Sequence, residues 1–143
     1  MKRQELNLIL RCGTVLYKSN RNLTSAEPHY LIVLNDTPYE QIGIVVSVVT
    51  SQIEKRRKYV TRLGFPESTL VLLPKECYPH FAKDSAVDCN ELTTIAFDDL
   101  LGYTSKDFKS PDFPQEYLQQ IIHGALASPR VADDIKELLK STL

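Results

Sequence analysis

Between residues 13 and 97 the apolar positions fall into short runs broken by turn residues, a pattern of strands rather than helices. The strongest run is Ile42 to Gln52, IGIVVSVVTSQ, in which six of the eight residues from Ile42 to Val49 are aliphatic and mostly β-branched. Apolar on both faces, it predicts a central strand covered on both sides. Gly13 opens Thr14-Val15-Leu16-Tyr17, a first strand, and Lys18 to Pro28 reads as a long loop. His29 to Asn35 is a second strand, joined to the central one through Asp36 to Gln41. Lys58 to Leu63 alternates and reads as strand; Thr69 to Leu73, Ser85 to Cys89 and Leu92 to Phe97 follow as further short strands. The apolar run in Gln4 to Leu10 fits either a short helix or a leading strand.

Spacing this short leaves no room for crossover helices, so neighbouring strands are expected to be antiparallel and the fold to be mainly β (α+β), a small barrel or sandwich. After Phe97 the pattern changes. Asp98 to Asp112 is a polar connection with one helical turn expected at Asp98 to Leu101. Pro114 suits the first turn of a helix whose stripe is Tyr117, Leu118, Ile121, Ile122 and Ala125, weakened near its end by Gly124. Ser128-Pro129 predicts the start of a last helix with Val131, Ile135, Leu138 and Leu139 on its buried face. The chain therefore reads as a single domain over 1–143, a β core over 1–97 carrying a helical C-terminal region over 98–143.

Composition adds little to this picture but removes some classes. The chain has 143 residues, 43% apolar and 24% charged, the proportions of a packed globular domain. Its formal net charge is −1, so affinity for nucleic acid would have to come from a local patch. Cys12, Cys77 and Cys89 lie far apart with no CxxC and no histidine at metal-finger spacing, which predicts reduced thiols, no metal and no cofactor. The apolar run within Met1 to Cys12 is too short for a signal peptide or a membrane span, so a cytoplasmic, non-membrane protein is expected.

The central strand ends in Thr50, Ser51 and Gln52, and the basic residues Lys55, Arg56, Arg57, Lys58 and Arg62 come next. Two hydroxyls delivered to the edge of a cationic surface can hold a phosphate; Lys18 and Arg21 could extend that surface. The bland alternative is a strand that ends in Thr and Ser beside a solvated charge run.

Taken in order, these segments resemble the PemK/MazF-type toxins. Gly13-Thr14-Val15-Leu16 is similar to that family's opening strand, Tyr30 to Asn35 to its second strand, Val48-Val49-Thr50-Ser51-Gln52 to its "VTS" strand end, and Asp84 to Ile95 to its "DS-V-CDQ-RTI" segment. The resemblance covers Gly13 to Phe97. It implies an SH3-like antiparallel barrel, a metal-independent endoribonuclease acting on single-stranded RNA, a cognate antitoxin and a homodimer. It also implies a catalytic role for the threonine of the Thr50-Ser51 pair. Where the family begins its second strand with arginine and proline, this chain has His29 and Tyr30; Asn90 and Thr93 stand where the family carries aspartate and arginine.

Metal-free RNA cleavage needs a base for the ribose 2′-hydroxyl, donors for the charge on the phosphorane and an acid for the leaving 5′-oxygen. His29 can supply acid or base, and Thr50, Ser51, Arg56 or Arg57 the donors. The competing expectation is a barrel without catalysis that binds RNA or protein. Tyr78, His80 and Phe81 form a loop whose rings could stack on a base or pack on the sheet, His123 is expected on a helix surface, and Cys89 in the core.

Overall fold

In the computed structural model the described residues are 1–18, 28–36 and 43–143. Arg21, Ile42, the greater part of the expected loop after the first strand and most of the connection before the central strand lie outside them.

The central strand is β3 (Ile44–Thr50), as its composition predicts. Its side chains alternate: Ile44 and Val46 enter one core cluster, with Val48 packed against it, while Val45 and Val49 enter the other. This period of two explains why the run is apolar throughout. On one edge β3 pairs antiparallel with β2 (His29–Val33) through Leu31↔Val48, Ile32↔Ser47 and Val33↔Val46. On its other edge it has two successive partners, β6 (Thr93–Ile95) along Ile44 to Val46 and β5 (Ser85–Asp88) at Val49 and Thr50. β1 (Val15–Lys18) lies outside β2, β7 (Phe108–Lys109) outside β1, and β4 (Leu70–Leu73) outside β5. The order is β4-β5-β3-β2-β1-β7, with β6 off this path, and every pairing is antiparallel.

The result is an α+β fold around a seven-stranded antiparallel sheet. The sheet is open: among the described residues no pairing joins its ends at β4 and β7, so the closure expected of a barrel is not made.

Helices cover both faces. On one, Leu118, Ile121, Ile122 and Ala125 of α3 (Gln115–Ala127), with Leu139 of α4 (Asp133–Lys140), pack onto Val15, Ile32, Val45 and Val87. On the other, Leu6 of α1 (Arg3–Ile9) and the adjoining Leu10 pack with Phe97 and Leu100 of a 3₁₀ turn onto Leu16, Leu31 and Val33. Each fully buried aliphatic side chain contributes about 1.5–3 kcal/mol. Leu8 is 82% exposed between buried Leu6 and Leu10, whose face it would share in a strand, and this decides the N-terminal segment as helix.

Three local expectations are corrected. Lys58 to Leu63 is not a strand; it belongs largely to α2 (Ile53–Arg62), whose Glu, Lys and Arg residues are good helix formers and whose Val60 is buried. The last helix starts at Asp133 and not at Pro129; Ser128 Oγ accepts the Arg130 N–H (3.1 Å) as a cap would, but it closes only a turn, and the hydroxyl donates to Asn90 Oδ1 (2.6 Å). The polar stretch after Phe97 supplies β7, whose two residues are too few to carry a periodic signal. Pro114 precedes α3 as its cap residue.

Candidate nucleic-acid interface

The β1–β2 register sets Lys18 opposite His29. The β2–β3 pairing ends at Leu31↔Val48; Thr50, two residues further along β3, pairs with Ala86 of β5 instead. Residues opposite one another on an antiparallel sheet share a face. Alternation along each strand puts Lys18, His29 and Thr50 on the face that holds Leu16, Leu31 and Val48, with Lys18 opposite His29 and Thr50 continuing the row beyond the last β2–β3 pair. All three are partly exposed. Adjacent paired strands lie about 4.8 Å apart, the separation across the Lys18–His29 pair.

Each member has different surroundings. Lys18 Nζ donates to Asp107 Oδ2 at 3.2 Å and sits 4.5 Å from the centre of the buried Tyr103 ring. Burial pushes the Asp107 carboxyl up, but the Thr104 N–H (2.8 Å) and Lys18 outweigh it and hold the group below its ordinary 3.8. The His29 ring makes no hydrogen bond to a described residue. Thr50 Oγ1 accepts the Gln52 N–H at 3.1 Å, where the chain turns into α2, which leaves its own hydroxyl proton to be donated elsewhere. Ser51 is exposed, one residue past the last paired position.

The basic residues expected after Ser51 lie on α2, which packs against β4 and β5. Two of them are already paired. Arg56 Nη1 meets Asp88 Oδ2 at 3.2 Å, and Arg57 meets Glu54 on its own helix. Lys55, Lys58 and Arg62 are exposed and make no ion pair with a described residue, though Arg62 lies 5.8 Å from the Tyr59 ring centre. The helix thus keeps only part of its charge available.

A further cation escaped the sequence reading. Arg130, between α3 and α4, donates to Tyr59 Oη at 3.5 Å and lies 6.0 Å from the Phe65 ring centre. It stands 71 residues beyond Tyr59, so no local pattern links them. The interleaving of Tyr59 and Phe65 with the basic run is the one signal the sequence does carry for this surface.

Elsewhere the candidate residues are structural. Tyr78 is fully buried and donates to the Pro111 carbonyl at 2.6 Å; Phe81 packs among Tyr30, Tyr78 and Phe113. His80 Nε2 contacts the Ser110 carbonyl oxygen at 2.8 Å, His123 is exposed on α3, and Cys89 is buried with its thiol against the Ile121 carbonyl at 3.4 Å. Among the described residues no three His, Cys, Asp or Glu side chains are grouped as a metal ion would require, and no helix is long and apolar enough to cross a membrane.

No known family model matches the chain, and a search of curated proteins likewise finds no match.

Proposed function

We propose that this protein is an RNA-cleaving enzyme of the PemK/MazF kind, a metal-independent endoribonuclease on an SH3-like variant of the antiparallel fold, acting in the cytoplasm as a homodimer held in check by an antitoxin. The observation that supports this reading is that Lys18, His29 and Thr50 share one face of the sheet, where they offer a cation, an imidazole and a hydroxyl donor. His29 Nε2 or Nδ1 removes the 2′-hydroxyl proton, the 2′-oxygen attacks phosphorus, and the P–O5′ bond breaks. The products are a 2′,3′-cyclic phosphate and a 5′-hydroxyl, the leaving oxygen taking up a proton from water or from the imidazolium. Thr50 and Lys18 stabilise the negative charge on the phosphorane. Lys18, like Arg56 and Arg57, already faces a carboxylate, and it meets the phosphate only by giving up Asp107.

A second reading is favoured by the same ion pairs. With Lys18 on Asp107 and His29 where the resembled family places arginine, the row can hold RNA without cleaving it, or the domain can bind a protein. One experiment separates them. Purified protein is incubated with a long single-stranded RNA in EDTA; cleavage that falls by about a hundredfold in both His29→Ala and Thr50→Ala supports the enzyme. Equal cleavage by His29→Ala removes the histidine from the mechanism. Binding without cleavage by the unaltered protein leaves the binding module.

A further inference from the structure

We infer that Tyr59, Phe65 and Arg130 form a stacking platform for a single-stranded RNA segment, set apart from the Lys18–His29–Thr50 row. The inference rests on RNA being the ligand of the proposed function, but its residues are different and come together only through the fold.

Three guanidinium groups gather on two rings. Arg56 Cζ lies 5.1 Å and Arg62 Cζ 5.8 Å from the Tyr59 ring centre, and Arg130 Cζ lies 6.0 Å from that of Phe65. The two rings meet edge to face with centres 6.3 Å apart. Tyr59 is held from both ends of its hydroxyl, accepting from Arg130 at 3.5 Å and donating to Glu91 at 3.0 Å, so its ring orientation is fixed before any ligand arrives. Both rings are partly exposed and Arg130 is exposed.

Charge points the same way. Asp88 and Glu91 meet this surface, and Glu67, Asp133 and Asp134 are exposed near Phe65 and Arg130 in sequence, yet α2 itself carries five cations, Lys55, Arg56, Arg57, Lys58 and Arg62, against one carboxylate, Glu54. In a chain of net charge −1 this is a local excess of positive charge. Lys55, Lys58 and Arg62 lie 3 and 4 residues apart on one side of α2, which gives a phosphate backbone a cationic track beside the rings. Unstacked bases lie on aromatic rings and on arginine planes alike, whereas a duplex keeps its bases paired and offers only phosphates. An acidic peptide would use the cations and leave the rings idle.

The probe is a fluorescein-labelled oligouridylate of about 12 nucleotides, within the length one such surface covers. Its binding to the full chain is followed by anisotropy at several salt concentrations, with duplex RNA of the same length, inorganic polyphosphate and polyglutamate as competitors. Arg130→Gln and Phe65→Leu are compared with the unaltered protein after far-UV circular dichroism shows both folded. Each is expected to weaken binding on the order of tenfold. Arg130→Gln should also flatten the slope of log affinity against log salt by about 0.7, while Phe65→Leu leaves the slope unchanged. Unaltered affinity in both variants overturns the platform, as does polyphosphate, duplex or polyglutamate competing as well as the single strand. Cleavage of RNA with no loss of binding in either variant removes the platform and keeps the enzyme. Binding that is weakened in both variants, with RNA left intact by the unaltered protein, keeps the platform and removes the enzyme.

Discussion

Arg56 of α2 and Asp88 of β5 meet at 3.2 Å, and the Asp88 side chain is only 4% exposed while that of Arg56 is 34% exposed. The carboxylate is also held by the Asn90 N–H and by Asn90 Nδ2, at 3.0 and 2.9 Å on its other oxygen. Asn90 in turn donates to Thr69 Oγ1 and accepts from Ser128. One buried aspartate thus ties α2, the turn after β5 and the end of α3 together. Arg56→Met leaves that carboxylate without its cation, and the expected cost is about 1–3 kcal/mol, below the full penalty of a buried pair because Arg56 is partly solvated. Urea unfolding of the variant and the unaltered protein measures it; a midpoint that does not move would show that the Asn90 bonds alone suffice.

Gly124 looks like a weak point in α3, and on helix propensity alone Gly124→Ala should stabilise by about 1 kcal/mol. The tertiary structure reverses the sign. A Cβ there would stand 2.7 Å from the Ser68 carbonyl oxygen and 2.8 Å from Cys89 Sγ. The helix approaches the 3₁₀ turn before β4 so closely that only glycine fits, and the variant is expected to lose about 1–3 kcal/mol net, read as a lower thermal midpoint.

Ser47 lies on β3 between Val45 and Val49, fully buried, and its hydroxyl has no hydrogen-bond partner among the described residues. Such a group costs about 1–3 kcal/mol of desolvation with nothing to offset it. Ser47→Ala is therefore expected to raise stability by about 1 kcal/mol, seen as a higher urea midpoint with an unchanged slope.

The Lys18–Asp107 contact gives a pH test. The Asp107 carboxyl sits below its ordinary 3.8 in the fold, so it contributes stability that is present above about pH 4 and is lost as the pH falls through the lowered value. Lys18→Met removes a hydrogen bond and a charge that favour the ionised form. Carbon-detected NMR titration should show the Asp107 pKa rising in the variant, and the acid-side loss of stability should start at higher pH. No shift would mean that the Thr104 N–H is the dominant anchor.

Burial pushes the Cys89 and Cys12 thiols up to about 12, Cys12 with help from Asp36 and Asp112, and Cys77 up to about 11. At pH 8 almost no thiolate is present at any of them. Iodoacetamide should therefore label the folded chain slowly, Cys77 ahead of the others and Cys89 last, with all three labelled promptly in strong urea. Rapid labelling of Cys89 in the native state would contradict its place beneath α3.

Residue patterns alone determined the strands whose composition is dense enough to tolerate no other use. β3 is apolar at both parities because helices cover both of its faces, and α3 carries a stripe at three- and four-residue spacing; both signals are written in consecutive residues. α2 is the exception: Lys58 to Leu63 alternates like a strand, and the helix-forming Glu, Lys and Arg residues prevail once Val60 has a core to enter and Arg56 has Asp88 to meet. Ser128 carries a start signal that closes one turn on Arg130, and its bond to Asn90, 38 residues away, is invisible to any local pattern. Of the candidate site, His29, Thr50 and the basic residues could be named from local chemistry, but their grouping could not. That Lys18, His29 and Thr50 share one face depends on the pairing of β1, β2 and β3, and the meeting of Arg130 with Tyr59 depends on the packing of the chain between α3 and α4. Such adjacency is set by long-range packing energies, which no window of neighbouring residues contains.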